Sequence, residues 1–267
     1  MSQPLNELEI KAALIDRLYD RGVLKGAALI NEMVVANWSR RADIVVANGS
    51  LQAFEIKSDL DSLKRLDGQL SAYLVRFDKV TVICTSRFTK DVLERTPSSV
   101  EVLEALREKD KVTFRVRRRG MIRPVREKHI LLSYLLKSEL VDLLSVPSEA
   151  GLTLRSRHEL MMAAGDLPVG VIRKKVLTSL RERYADTSEA FLRARTEKQF
   201  TNVDDLVTLR RNKQGGESER ATGESNTPEV SPANIYEINW DVIADKFGEL
   251  PAVMPGYVLK RLPVSKR

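Results

Sequence analysis

The sequence has little of what disulfide-rich, zinc-binding and membrane-spanning proteins need. Its one cysteine, Cys84, excludes an intrachain disulfide and leaves no cysteine partner for a structural zinc site. No run of residues approaches the roughly 18 apolar residues that cross a bilayer, and the N-terminus lacks the basic lead and apolar stretch of a secretion signal. These absences predict a soluble protein of a reducing compartment, and we expect it in the cytoplasm with no membrane partner.

Aromatic residues are also scarce, whereas hydrophobic and basic residues are plentiful. Aromatics make up 6% of the 267 residues, which gives little support for base stacking as a way to hold single-stranded nucleic acid. Hydrophobic residues make up 43%, enough for a buried core. The formal net charge of +7 favours polyanionic partners, nucleic acid first, although many proteins with such a balance bind none.

Patterning along residues 1–125 predicts an α/β core. Apolar residues at helical spacing indicate a first helix over residues 5–21. The turn signal at residues 48–50, Asn-Gly-Ser between two β-rich runs, indicates a strand hairpin. A helix over residues 60–77, a buried strand and a short helix follow, and residues 111–120 are predicted to add an edge strand.

Beyond the core the pattern becomes helical and basic, and we expect a helical module over residues 126–211. Residues 212–233 contain almost no large apolar side chain and many Gly, Ser, Glu and Pro residues, so they are predicted to form a disordered linker. Residues 234–267 regain Tyr236 and Trp240, and they are predicted to dock onto the body of the protein or onto a protein partner.

The predicted hairpin brings two carboxylates together. With a three-residue loop, Ala47 lies opposite Leu51, and the same register brings Asp43 opposite Glu55. Carboxylates at cross-strand distance repel one another unless one is protonated or a cation lies between them. This register therefore favours a metal site, whereas a two-residue loop would pair Asp43 with Phe54 and weaken the argument.

The chemistry that these carboxylates can support is Mg²⁺- or Mn²⁺-dependent hydrolysis. Mg²⁺ binds one or two carboxylates, and water and substrate phosphate complete its shell. Side chains two positions apart on a strand share a face, so Lys57 lies beside Glu55, where its ammonium can orient a nucleophile and offset developing negative charge. The alternative is a surface charge cluster in which Arg40 or Arg41 neutralises the carboxylates.

These residues resemble a known family. Residues 41–70, RADIVVANGSLQAFEIKSDLDSLKRLDGQL, are similar to the PD-(D/E)XK nuclease superfamily, with Arg41-Ala42-Asp43 where the name-giving motif has Pro-Asp. More narrowly, the motifs RADI, FEIKSD and RL with a following Gln resemble a group of largely uncharacterised bacterial proteins assigned to that superfamily. The resemblance covers residues 5–95 and implies a restriction-endonuclease-like mixed sheet core flanked by helices, followed by a helical module.

The resemblance also implies roles for individual residues. Asp43 and Glu55 would be metal ligands, and the carbonyl of Ile56 would be a further ligand. Lys57 would be the catalytic lysine. By this resemblance the site binds Mg²⁺ or Mn²⁺ and hydrolyses phosphodiester bonds through a metal-activated water.

Two helical residues extend the predicted site. Glu9 matches an acidic residue that many members carry on the first helix, which would make it a metal ligand and a catalytic residue. Gln69 matches a glutamine on the helix after the Glu-x-Lys strand. Glu7 is the competing candidate for this acidic residue of the first helix. The other interpretation of Glu9 is that it lies on an ordinary solvated helix face.

A group of arginines at the end of the core is the predicted nucleic-acid-binding surface. Basic groups that neutralise phosphates release counterions and add affinity without reading sequence. The alternative is a charged edge strand that blocks aggregation. The candidate residues are Arg115, Arg117, Arg118, Arg119 and Arg123.

These observations predict a bacterial, metal-dependent nuclease, and DNA is the substrate that we expect first. A homodimer is expected if both strands of a duplex are cut. The alternative is a catalytically inert module of the same fold that binds DNA or a protein. In one form of this alternative, residues 234–267 are the element that a protein partner recognises.

Overall fold

A computed structural model describes most of the chain, which divides into two compact units, residues 1–213 and residues 214–267. Each unit is described by itself. The described residues are 3–35, 40–109, 111–145, 152–209, 235–237 and 257–259.

The first unit is built on a six-stranded sheet with helices on both faces. Its sheet elements and the helices between them are α1 Glu7–Asp20, β1 Ala28–Val35, β2 Arg40–Ala47, β3 Leu51–Lys57, α2 Leu66–Leu74, β4 Lys79–Thr85, α3 Thr89–Arg95, β5 Glu101–Glu108 and β6 Lys111–Arg118. The helices that follow are α4 Lys128–Ser133, α5 Lys137–Leu144, α6 Arg157–Ala164, α7 Val169–Arg183 and α8 Ala185–Lys198.

The strands lie side by side in chain order, from β1 to β6. The pairs β3–β4 and β4–β5 are parallel, and the other three neighbouring pairs are antiparallel. This mixed sheet, flanked by helices and followed by a helical part, confirms the predicted fold class. Because β3 and β4 run in the same direction, the residues that follow them lie at one edge of the sheet.

Side chains on the two faces of the sheet belong to two hydrophobic layers. Val45 and Ala53 point to one face and pack in a layer that includes Leu70 of α2. Phe54 points to the other face and packs in a layer that includes Ile10 of α1. Burial of apolar surface stabilises the fold by about 25 cal/mol per Å², so both layers hold β3 in place.

The helical part packs onto the same two layers. Leu131 and Val176 belong to the layer of α2, and Phe191 belongs to the layer of α1. The buried carboxylate of Asp78, just before β4, accepts hydrogen bonds from the guanidinium of Arg173 in α7. The predicted division at residues 125 and 126 therefore falls inside one compact unit.

Two elements differ from the sequence-based expectation. No strand was predicted at β5, whose residues are mostly good helix formers, yet it pairs with β4 on one side and β6 on the other. The helix expected over residues 60–77 is α2, which begins only at Leu66. Before it, the Asp61 carboxylate accepts hydrogen bonds from the backbone N–H and hydroxyl of Ser58, and such bonds compete with helix formation.

The second unit contains two short strands, Ile235–Glu237 and Tyr257–Leu259, which pair antiparallel. The predicted linker over residues 212–233 lies outside the described residues, and so does most of the segment over residues 234–267. Docking of that segment stays a prediction. Within the described residues, no helix combines the length and apolar character needed to span a bilayer.

Candidate active site

The hairpin between β2 and β3 has the predicted register. Gly49 adopts a φ of +107° in the loop, a left-handed conformation that glycine accepts without strain. Ala47 pairs with Leu51 on either side of it. The three-residue loop is thus confirmed, and every later pair along the two strands follows from it.

Beyond the paired part of the hairpin, Asp43 contacts β3 through its side chain. The last ladder pair is Ile44–Phe54, and the next position in this register would join Asp43 with Glu55. There the Ile56 N–H donates a hydrogen bond to Asp43 Oδ2 at 2.7 Å. The Asp43 carboxylate therefore lies where the two strands stop pairing.

The surroundings of Asp43 disfavour its negative charge. Burial raises the pKa of its carboxyl to about 7, and the negative charge of Glu55 acts in the same direction. Among the described residues, no hydrogen-bond donor contacts Asp43 Oδ1. A cation bound to this oxygen would remove the electrostatic penalty, so the site is suited to one.

The strand on the other side of Asp43 is also irregular. The pairing of β1 with β2 passes from Asn31–Ile44 to Met33–Ala42 without joining Glu32 to Asp43. Glu32 has a φ of +58°, a left-handed conformation that costs a non-glycine residue about 1–2 kcal/mol. Strained backbone of this kind clusters at functional sites, and Glu32 was a weaker site candidate from the sequence.

Glu55 and Lys57 form a buried ion pair on β3. Lys57 Nζ donates to Glu55 Oε1 at 2.7 Å and to Gln69 Oε1 at 3.0 Å. Only 1% of Glu55 and 4% of Lys57 is exposed, which rules out a solvated surface cluster for these two side chains. The structure thus brings together three of the predicted catalytic residues.

Tyr73 is a site residue that the sequence analysis missed. Its hydroxyl donates to Glu55 Oε2 at 3.0 Å and to the Arg41 carbonyl at 2.6 Å. Burial raises the pKa of Tyr73, and the charge of Glu55 raises it further. Tyr73 follows Gln69 by four residues on α2, so the two side chains share a helix face, and this spacing could have revealed it.

Glu9 is engaged away from these residues. Asn6 caps α1, and the Glu9 carboxylate accepts a hydrogen bond from the Asn6 N–H in a capping box. Both Glu9 oxygens also accept hydrogen bonds from Arg107 of β5 at 2.9 Å. Although burial opposes it, these bonds lower the pKa of Glu9. Its carboxylate therefore has a structural role in this arrangement.

Glu7 is the acidic residue of α1 that acts on the site. Its negative charge raises the pKa of Asp43, and the charge of Lys11 lowers it. Glu7 Oε1 lies 3.1 Å from Lys11 Nζ, whose buried ammonium also donates to Asn31 Oδ1 at 3.2 Å. The competing candidate of the sequence analysis, rather than Glu9, is thus the electrostatic neighbour of Asp43.

The donor set agrees with a hard divalent cation. Asp43, Glu55 and the Ile56 carbonyl can supply oxygen ligands, and Mg²⁺ needs only one or two carboxylates when water and phosphate complete its shell. No cluster of three or more Asp, Glu, His or Cys residues arranged to hold a metal occurs among the residues that the structure describes. A cation here would accordingly depend on water or substrate for part of its coordination.

Comparison with known proteins assigns the chain to a family. A family model described as bacteriophage P4 protein cII matches residues 1–210. The chain belongs to this family. A curated relative, Protein cII of Enterobacteria phage P4, is 42% identical over 265 residues, which cover 98% of this chain and 99% of the relative.

The residues that match the family model include the whole candidate site, from Glu7 to Tyr73, and the arginines of β6. A solved structure of a protein of unknown function from Silicibacter pomeroyi is 20% identical and covers 45% of this chain and 77% of its own, with a TM-score of 0.33. A likeness this low supports no conclusion about fold or function.

One of the predicted phosphate-binding arginines of the P4 protein cII family member has a structural role. The Arg118 guanidinium donates to the carbonyls of Leu93, Thr96 and Val100, and burial lowers its pKa. Its donors therefore tie the end of β6 to α3. The other four candidates, Arg115, Arg117, Arg119 and Arg123, are exposed.

Arg115 lies on the same sheet face as the candidate site. Lys57 pairs with Cys84, Cys84 pairs with Glu104, and Glu104 pairs with Arg115 across the neighbouring strands. Residues that pair directly share a face. Neighbouring strands are about 4.8 Å apart, so the backbones of Lys57 and Arg115 are separated by roughly 14 Å on this face.

Proposed function

We propose that the protein is a metal-dependent nuclease that hydrolyses phosphodiester bonds in DNA and works in the bacterial cytoplasm. One observation carries the proposal. Where β2 and β3 separate, a half-buried carboxyl with a raised pKa, Asp43, adjoins a fully buried ion pair, Glu55 and Lys57. Buried charges are unfavourable unless something compensates them, and perturbed titratable groups of this kind are typical of functional sites.

Mg²⁺ is the cofactor that this donor set favours. It would be held by Asp43 and Glu55 with the Ile56 carbonyl, and the negative charge of Glu7, which acts on Asp43, would add to the attraction for the ion. When bound, the ion polarises a phosphate oxygen and lowers the pKa of water. The PD-(D/E)XK resemblance of the motif residues supports the same cofactor.

Lys57 is the residue that we expect to contact the phosphate that water attacks. Its ammonium is held by Glu55 and Gln69 at 2.7 and 3.0 Å, so its position is determined before a substrate binds. A cation fixed in a water-poor site stabilises negative charge that develops on a phosphate more strongly than one in bulk water. Preorganisation of Lys57 is therefore the contribution of Gln69.

The exposed arginines of β6 supply a surface for the DNA backbone. Arg115 shares the sheet face of Lys57 at a distance that a DNA strand crossing the sheet would span. Because Arg118 is tied to α3, we exclude it from this surface and retain Arg115, Arg117, Arg119 and Arg123. These contacts would be made to phosphates and would carry no sequence preference.

A second function has one observation in its favour. Both oxygens of Glu55 already accept hydrogen bonds, one from Lys57 and one from Tyr73. A catalytically inert DNA-binding or protein-interaction module would also have a carboxylate whose two oxygens are hydrogen-bonded without a cation. That alternative predicts DNA binding, or binding of a protein, with no dependence on divalent cations.

The test is cleavage of labelled duplex, branched and single-stranded DNA and of RNA with Mg²⁺ or Mn²⁺. We expect the wild type to cut DNA, and Asp43→Asn and Lys57→Met to lower the rate by at least about 100-fold, the scale of one lost electrostatic group. Lys175→Met is the matched control, because Lys175 pairs with Asp142 between α5 and α7. DNA that is bound but never cut, whatever the cation, would instead support the inert module.

A further inference from the structure

We propose that Tyr73 is a positioning residue whose hydroxyl sets the separation of β2 and β3 at the site, and thereby sets the affinity for Mg²⁺. The inference rests on the proposed function, because it concerns the same cation. Tyr73 would not touch the cation or the substrate. It would act through Glu55 and through the backbone of Arg41.

The backbone of the hairpin does not hold the strands together at this point. The ladder between β2 and β3 ends at Ile44–Phe54. Beyond this pair, side-chain hydrogen bonds join the two strands in place of backbone hydrogen bonds. One such contact is the hydrogen bond from the Ile56 N–H to Asp43, and the other is Tyr73, whose hydroxyl lies between the Arg41 carbonyl on β2 and the Glu55 carboxylate on β3.

The position of the Tyr73 hydroxyl is itself fixed by the core. Tyr73 has no exposed surface, and its ring packs edge-on against Phe77 with 5.8 Å between the ring centroids. The side chain therefore acts as a spacer of constant length from α2 to the gap between the strands. A hydroxyl has a single proton, so the two acceptors, one on each strand, share it in a bifurcated contact.

The separation of the strands matters most for a small cation. Mg²⁺ demands near-ideal octahedral geometry with ligands at about 2.0–2.1 Å, whereas Ca²⁺ accepts flexible arrangements at about 2.3–2.6 Å. Loss of the Tyr73 hydroxyl would release the Glu55 carboxylate and the Arg41 carbonyl from each other. We therefore expect the loss to weaken Mg²⁺ binding more than Ca²⁺ binding.

The experiment is calorimetric titration of the full-length protein, without nucleic acid, with Mg²⁺ and then Ca²⁺. Tyr73→Phe is compared with Tyr134→Phe, a closely matched control. Tyr134 is also buried, packs against the same Phe77, and donates its hydroxyl to a backbone carbonyl, that of Arg76, at 2.8 Å. Urea unfolding of both variants checks that each is folded.

We expect Tyr73→Phe to weaken Mg²⁺ binding by about 10-fold or more, as for other residues that orient metal ligands, and to lower the ratio of Mg²⁺ to Ca²⁺ affinity. Tyr134→Phe should leave both affinities unchanged. If Tyr73→Phe binds Mg²⁺ like the wild type, the inference is overturned and the proposed nuclease stands. If the wild type binds neither cation, the metal-dependent function fails, and the role of Tyr73 fails with it.

Discussion

At the scale of single residues, Asp43 decides how the site responds to pH. Its carboxyl has a pKa of about 7 in the folded protein and an ordinary value of about 3.9 in the unfolded chain. Between these values the folded protein holds a proton that the unfolded chain releases. The contribution of Asp43 to stability is therefore complete below pH 4 and is lost as the pH rises through 7.

We predict that Asp43→Asn removes this pH dependence in the absence of divalent cations. The free energy of unfolding of the wild type should fall between pH 5 and pH 7 by up to about 1.4 kcal/mol per pH unit on account of Asp43. An amide does not titrate, so the variant should show a smaller fall. Urea unfolding at pH 5, 6, 7 and 8 measures it, and equal slopes for the two proteins would contradict the assignment.

At the scale of elements, β6 carries arginines of two kinds. Arg115 and Arg117 are exposed, and the contact of Arg117 with Glu104 is long, at 3.9 Å. Arg118 donates to three carbonyls around α3. The β5–β6 register shifts between Val102 and Leu103, which brings Arg118 opposite Val102, and Val102 belongs to the same layer as Val92 of α3.

We predict that substitutions of the two kinds of arginine have different effects, one kind on DNA binding and the other on stability. Arg115→Ala with Arg117→Ala should weaken DNA binding and lower the slope of log affinity against log salt by about 2, one phosphate for each arginine, with little change in stability. Arg118→Ala should instead lower the free energy of unfolding by about 1–3 kcal/mol, because it leaves three partly buried carbonyls without these donors. Salt titrations of DNA binding and urea unfolding of both variants provide the comparison.

If the double variant binds DNA with the wild-type salt dependence, the β6 surface is not the DNA-binding face. The alternative from the sequence, an edge strand whose charge blocks aggregation, would then explain these arginines. In that case the double variant should aggregate more readily than the wild type, which light scattering detects.

At the scale of the whole first unit, the sheet and the helical part share the same two hydrophobic layers. Asp78 joins them through its carboxylate. It accepts hydrogen bonds from the backbone N–H groups of Leu51 and Val125 and from Arg173 of α7. Because the helices pack onto both hydrophobic layers of the sheet, we expect a single cooperative transition for residues 1–213.

We predict that Asp78→Asn lowers the free energy of unfolding by about 3–5 kcal/mol, because it leaves Arg173 partly buried without its partner charge. Asp142→Asn is the control, since Asp142 is exposed in its pair with Lys175, and such pairs near the surface contribute about 0–1 kcal/mol. Urea unfolding followed by circular dichroism and by tryptophan fluorescence measures both. Two separate transitions in the wild type would show that the sheet and the helices unfold independently.

The parts of the molecule that the sequence predicted well are those that short-range interactions determine. The hairpin register follows from the three residues of its loop, and α1 falls within its predicted range because Asn6 and the apolar spacing define it. β5 was not predicted because Glu, Leu, Ala and Arg favour a helix in isolation. Pairing with a strand on each side overrides that preference.

For the candidate site, local pattern was sufficient to single out Asp43, Glu55 and Lys57, because alternation along a strand and the loop length determine which side chains meet, whereas Gln69 was indicated by the family resemblance. The structure alone decided which acidic residue of α1 adjoins Asp43, since Glu9 is drawn to Arg107, 98 positions away. Packing likewise selected Tyr73 as the support of Glu55 and Arg118 as a structural residue. Contacts between distant segments depend on how the layers pack, which local pattern leaves open even where, as for Gln69 and Tyr73, helical spacing shows that two side chains share a face.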